Sequence, residues 1–95
     1  MKVTVVNFAE SLDYIPNGET ILFEKKKNEF NPYEIKAFHK NKNIGNIASS
    51  ETMNCIGCTL DKDVYKKVSN SFQGIVLKKD KICETSIFDI LVVEI

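Results

Sequence analysis

Three cysteines and one histidine are the side chains here best suited to hold a metal or move a proton. Cys55-Ile56-Gly57-Cys58 has the spacing by which two thiolates reach one zinc ion. Cys83 and His39 would have to complete the ligand set, and neither belongs to a second paired cluster. A thioredoxin-type redox role needs the first cysteine at a helix N-terminus after a strand. Gly57 and Thr59 do not supply that context. An odd number of cysteines also does not fit a secreted disulfide framework. The three are expected to be small, partly buried thiols, with no metal and no cofactor.

A catalytic reading finds no convergent set of acid, base and nucleophile. His39 stands alone at an alternating position of a strand. No GxSxG elbow occurs. Gly18, Gly45, Gly57 and Gly74 are scattered singly, so no phosphate-cradling loop forms. Asp61 and Asp63 are close enough to share a cation, but Asp61 is better explained as a helix cap. The chain is expected to be non-enzymatic.

The remaining chemistry is recognition. Lys27-Asn28-Glu29-Phe30-Asn31-Pro32-Tyr33-Glu34-Ile35-Lys36-Ala37-Phe38 sets aromatic, amide and proline residues just before an alternating apolar run. Net charge is zero, from 13 basic and 13 acidic residues, which argues against a general nucleic-acid binder. The distribution is uneven: six lysines between 25 and 42 face only Glu29 and Glu34. All basic residues are lysine, so phosphate contacts would lack the bidentate arginine fork. Lysines on alternate strand positions also form a solvated face that blunts a sheet edge.

Ninety-five residues make one domain, 1–95, with a single modest core. No apolar run approaches the ~20 residues that span a bilayer as a helix. The N-terminus lacks a signal-peptide h-region, so a cytoplasmic, non-membrane protein is expected. β-Branched and alternating residues predict strands over 3–8, 20–25, 35–39 and 44–48. Residues 40–43 read as a hairpin turn, where asparagine tolerates positive φ. Gly45 marks a bulge or a close backbone approach. Residues 52–56 can add a little strand. One helix comes next, with Asp61 as N-cap, a Leu60–Tyr65 staple, Lys66 and Lys67 in its last turn and Asn70 at its end. Two strands close the chain, 72–79 and 82–95, joined by a turn at Lys79-Asp80-Lys81. Ile87, Phe88, Ile90, Leu91, Val92 and Val93 read as a buried run. About seven strands and one short helix predict a mainly β fold, a small antiparallel barrel or sandwich.

The order strand, aromatic turn, strand, hairpin and Ile44-Gly45-Asn46-Ile47 resembles the HIRAN domain. That family carries N-P-Y-D-x-x-A-I-x-V, then a hairpin, then I-G-Y-V. Asn31-Pro32-Tyr33-Glu34 looks like N-P-Y-D by eye but requires a deletion. A gapless placement starts at Asn28 and keeps Ile35 and Ala37 on the inward face, which an odd slip would turn outward. Ala48-Ser49-Ser50, Gly57-Cys58-Thr59-Leu60 and the Tyr65-Lys66-Lys67 helix are similar to small bacterial stand-alone members. The resemblance implies an OB-like barrel that captures the 3′ end of single-stranded DNA, beside helicase or nuclease partner proteins. By register, Phe30 and Asn31 take the positions at the terminal nucleotide, with Phe8 at the end of the first strand. Phe30 stands for a tyrosine and keeps stacking without the hydroxyl. Asn31 stands for an aspartate and both donates and accepts. Tyr33 is a rim aromatic, and Lys25, Lys27 and Lys36 would meet phosphates. The alternative is a protein-interaction or homo-oligomerising β module, which would pair along an uncovered apolar terminal strand, 87–95.

Overall fold

The structure is a computed structural model, described for residues 1–83 and 86–95. Six antiparallel strands close a barrel: β1 (Lys2–Asn7), β2 (Thr20–Lys25), β3 (Ile35–His39), β4 (Lys42–Ile47), β5 (Ser71–Cys83) and β6 (Ile87–Glu94). Their order around the barrel is β1-β4-β3-β2-β5-β6. The expected small barrel is therefore the fold, with six strands in place of about seven. One 3-10 turn (Glu51–Met53) and one short helix, α1 (Asp61–Tyr65), complete it. No helix among the described residues is long and apolar enough to cross a membrane.

Alternation creates the interior. Val3, Val5, Ile21, Phe23, Ile35, Ala37, Ile44, Ile47, Val76, Leu91 and Val93 meet inside the barrel. Two connections plug its opposite ends. The β1–β2 connection inserts Leu12 and Ile15 where β3 ends, and α1 inserts Val64 where β3 begins. A second, smaller cluster lies outside the sheet, where Val6, Ala48, Met53 and Ile90 pack under the segment 48–60. That segment is hooked to β1: Thr4 Oγ1 donates to Asn54 Oδ1 at 2.8 Å and accepts from the Cys55 amide at 3.0 Å. Thus β1 and β6 bury both faces.

β1 and β4 share only two paired positions, Val5 with Ile47 and Val6 with Asn46, whereas β1 and β6 share six. Gly45 permits the narrow seam. Its φ is +145°, and a Cβ there would collide with the Val6 carbonyl oxygen. The β3–β4 register also shifts by one residue beside it, so Gly45 marks both a bulge and a close approach. The hairpin turn is Lys40-Asn41, both at positive φ (50° and 67°), the two-residue turn that matches strand twist.

Several expectations are corrected. Residues 52–56 add no strand; 51–53 form a 3-10 turn, and Thr4 holds Asn54 and Cys55 behind it. The helix stops at Tyr65, and its N-cap is Leu60. Asp61 is the first helical residue, 3% exposed, and its side chain serves other partners. Lys79-Asp80-Lys81 is no turn: β5 runs through it with a bulge between Val76 and Lys78. The last strand starts at Ile87, so Ile82 and Cys83 belong to β5, and residues 84 and 85 lie outside the described residues. The expected uncovered edge at 87–95 does not exist, because β6 pairs with β1 on one side and β5 on the other. Within the expected buried run, Ile87 is exposed and Phe88 half-buried.

Candidate functional site

The loop 26–34 leaves β2 and returns to β3 beside α1. Asn28 organises it. Its Oδ1 accepts from the amides of Phe30 and Asn31, both at 2.9 Å. Its Nδ2 donates to Glu34 Oε2 at 2.8 Å, and the Lys26 amide donates to the Glu34 carbonyl at 2.8 Å. Such side-chain caps replace the ladder bonds a loop lacks. The backbone is pinned while the Phe30 side chain is left out: Phe30 is 91% exposed.

Asn31 points the other way. Its Oδ1 accepts from the Tyr33 amide at 3.0 Å, and its Nδ2 donates to Asp61 Oδ2 at 2.9 Å. Asp61 Oδ1 accepts from the Lys62 amide at 2.6 Å. Both ends of the Asn31 amide are thus engaged within the protein, and Asn31 ties the loop to α1. Tyr33 packs edge-on against Tyr65, with ring centroids 5.7 Å apart. Lys25 lies over that same Tyr65 ring, 4.3 Å from its centroid, and donates to the Val68 carbonyl at 2.7 Å.

Half of the basic run, three lysines of six, is matched by acids. Lys26 pairs with Glu24 at 3.2 Å, Lys36 with Glu34 at 3.8 Å and Lys42 with Glu10 at 3.0 Å. The Glu10 bond pushes the Lys42 ammonium above its ordinary range. Lys27 and Lys40 have no carboxylate partner among the described residues. Phe8 comes directly after β1 and so leaves the barrel at the end away from Phe30. It meets Phe88 edge-on at 5.0 Å and shares a groove of about 330 Å³ with Lys36, Gly45 and Asn46. The seven expected residues therefore split. Phe30, Asn31, Tyr33, Lys25 and Lys27 gather at the α1 end, and Phe8 with Lys36 borders a separate groove.

At the far end of β3 a second cleft of about 420 Å³ is lined by Tyr14, Pro16, Glu19, His39, Lys40 and Lys42. His39 Nε2 lies 2.9 Å from Glu19 Oε1. That hydrogen bond holds the Glu19 carboxyl below its ordinary range. An ionised carboxylate only accepts, so Nε2 carries the proton it shares. Asn28, Asp61, Tyr65 and Glu19 are the residues that sequence reasoning misses. Three of the four act across chain separations of 20 residues or more. Asn28, two positions before the Phe30 amide it caps, is the one open to local turn chemistry.

The cysteines do not converge with His39. Cys55 and Cys58 close one turn, through the Cys58 amide and the Cys55 carbonyl at 3.1 Å. Burial pushes the Cys55 thiol up. Cys83 is exposed at the end of β5. Among the described residues no three His, Cys, Asp or Glu side chains gather as metal ligands. No family model, no curated protein and no solved structure matches the chain.

Proposed function

We propose that this barrel is a non-enzymatic, HIRAN-like binding module that holds single-stranded DNA at the loop 26–34. The observation that carries the reading is the Phe30 ring, 91% exposed on a backbone pinned by Asn28. A rigid, exposed aromatic can stack on any base, and such a stack is worth about 1–3 kcal/mol by alanine substitution. Tyr33 widens the apolar surface beside it, and Lys27 is the nearest unmatched cation in the sequence. Asn31 is assigned a bracing role, because its amide already has both partners. The module then grips a strand without telling a 3′-hydroxyl from a 3′-phosphate through that residue. Few phosphates are neutralised, so the salt dependence is shallow: two contacts give a log–log slope of about −1.4.

Fluorescence anisotropy of a labelled single strand tests this, with free and phosphorylated 3′ ends, wild type and Phe30→Ala. Expected is weak binding, indifferent to the 3′ group and reduced about tenfold or more by Phe30→Ala. Binding unaffected by Phe30→Ala, or none at low salt, would remove the loop as a DNA site.

A second reading, a protein-interaction or self-associating β module, is favoured by one feature. β2 pairs only with residues 71–75 of β5, and β5 continues to Cys83. Its outer half, 78–83, is laddered to β6 on one side alone among the described residues. An open strand edge takes an added strand, although Lys78, Lys79 and Lys81 oppose casual pairing there. Light scattering after size exclusion decides whether the chain self-associates; a strict monomer at high concentration removes that version.

A further inference from the structure

The cleft at the His39 end is built differently from the loop 26–34 and does not rest on the DNA-binding reading. His39 is 7% exposed. Its Nε2 is taken by Glu19. Its Nδ1 has no partner among the described residues, yet no fully buried polar side-chain atom there lacks one. Nδ1 is therefore reached from outside, and the opening beside it is the cleft. Nδ1 is thus the accessible polar atom of an otherwise buried ring, open to solvent or to a ligand in the cleft. With Nε2–H directed at Glu19, the neutral ring presents Nδ1 as an acceptor.

The other walls narrow what fits. The Tyr14 ring stands 6.2 Å from the imidazole, tilted by 58°. Pro16 supplies a second flat apolar face. Lys42 is held by Glu10 and sits 5.7 Å from the Tyr14 centroid. Lys40, on the hairpin turn, forms no ion pair among the described residues, and, after the His39 hydrogen bond, its charge helps hold the Glu19 carboxyl of the same cleft below its ordinary range. At about 420 Å³ the space falls within the usual size of small-ligand pockets.

We propose that this cleft binds a small planar anion of the mononucleotide class. Its ring lies against Tyr14 and Pro16, its anionic group meets Lys40, and a hydroxyl or N–H donates to His39 Nδ1. The three contacts are of different kinds, so a molecule lacking any one of them binds less tightly.

NMR titration of the folded protein with adenosine 5′-monophosphate tests this, with adenosine and inorganic phosphate as separate arms. Expected are shifts of the His39 ring nitrogens and of amides 14–19 and 39–42, at concentrations at least about tenfold below those either fragment needs. Tyr14→Ala alters a side chain that is 52% exposed and so keeps the fold; it should weaken binding about tenfold. Lys40→Gly suits the positive φ of the turn and should weaken the monophosphate but not adenosine. Phosphate acting as strongly as the mononucleotide would mean an adventitious ion only. That result, no shifts at all, or shifts confined to residues 26–34 would each overturn the proposal. The last would leave the loop reading standing, and the Phe30→Ala experiment would fail or succeed independently.

Discussion

The two ends of β3 solve opposite problems. At Ile35 the strand emerges from a loop whose backbone is pinned by Asn28 and whose Phe30 ring is left in solvent. At His39 it ends on a side chain almost wholly buried, whose Nδ1 is reached from the cleft. An exposed phenylalanine disturbs little, since much of any protein surface is apolar. A ring nitrogen that opens into a cleft from a buried side chain is fixed in place and presents one polar atom. The contrast separates two kinds of surface: one end offers an apolar face, the other a single positioned polar atom.

The largest effect should come from the residue on which both ends depend. Gly45→Ala forces a methyl group into the Val6 carbonyl at the barrel seam, at a φ that alanine disfavours. Overpacking and backbone strain together should destabilise by about 3 kcal/mol, measured by urea unfolding. A change below about 0.5 kcal/mol, the surface background, would mean the seam is slack and the two ends need not share a frame.

Asn31→Ala should separate the ends. It strips a hydrogen bond from the Asp61 carboxylate, which is 3% exposed, and should lower stability by about 2 kcal/mol. Hydrogen exchange should quicken in the loop 26–34 and α1 while amides near His39 keep their protection. Equal quickening at both ends would break the comparison.

Acid should act in the reverse order. Asp89 accepts from Ser11 Oγ at 2.7 Å, from the Leu12 amide at 2.8 Å and from Lys81. The Lys81 bond, then the Ser11 and Leu12 bonds, lower its pKa from 3.8 to about 2. The folded value lies below the unfolded one, so the stabilisation is fully present above about pH 4. It fades as pH falls through about 2. Because Lys81 is half exposed, screening limits the loss to about 1–2 kcal/mol. Asp89 anchors the connection that leads to Tyr14, so exchange near Tyr14 should quicken between pH 4 and 2 before it does in the Asn28 loop. The loop opening first would show that Asp89 is not the acid-sensitive anchor.

How much of this the sequence discloses depends on range. β3 is legible to the residue, because Ile35, Ala37 and His39 alternate with outward residues. Gly45 and the Lys40-Asn41 turn are legible because their backbone demands are local. The long ribbon of β5 is hidden because Lys79-Asp80-Lys81, polar on its exposed half, looks like a turn when only composition is weighed. Asp61 looks like a cap because aspartate before an apolar helix face usually is one; its true partner sits 30 residues earlier. The candidate loop stands out by pattern, but nothing local tells Asn31 from Phe30 as the residue facing outward. Glu19 and His39, 20 residues apart, meet only once β2 and β3 are paired.

The seam between β1 and β4 also bears on how the chain assembles. The first strand made finds its long ladder with the last, Lys2 opposite Glu94 and Asn7 opposite Asp89, and only two paired positions with β4. Through most of synthesis Val3, Val5 and Val6 lack the strand that will cover them. Pairing so distant along the chain is slow, of the order of milliseconds to seconds for barrels of this kind. A nascent chain stalled before residue 87 would hold an open sheet with a sticky first strand, so the period of aggregation risk ends only when β6 arrives.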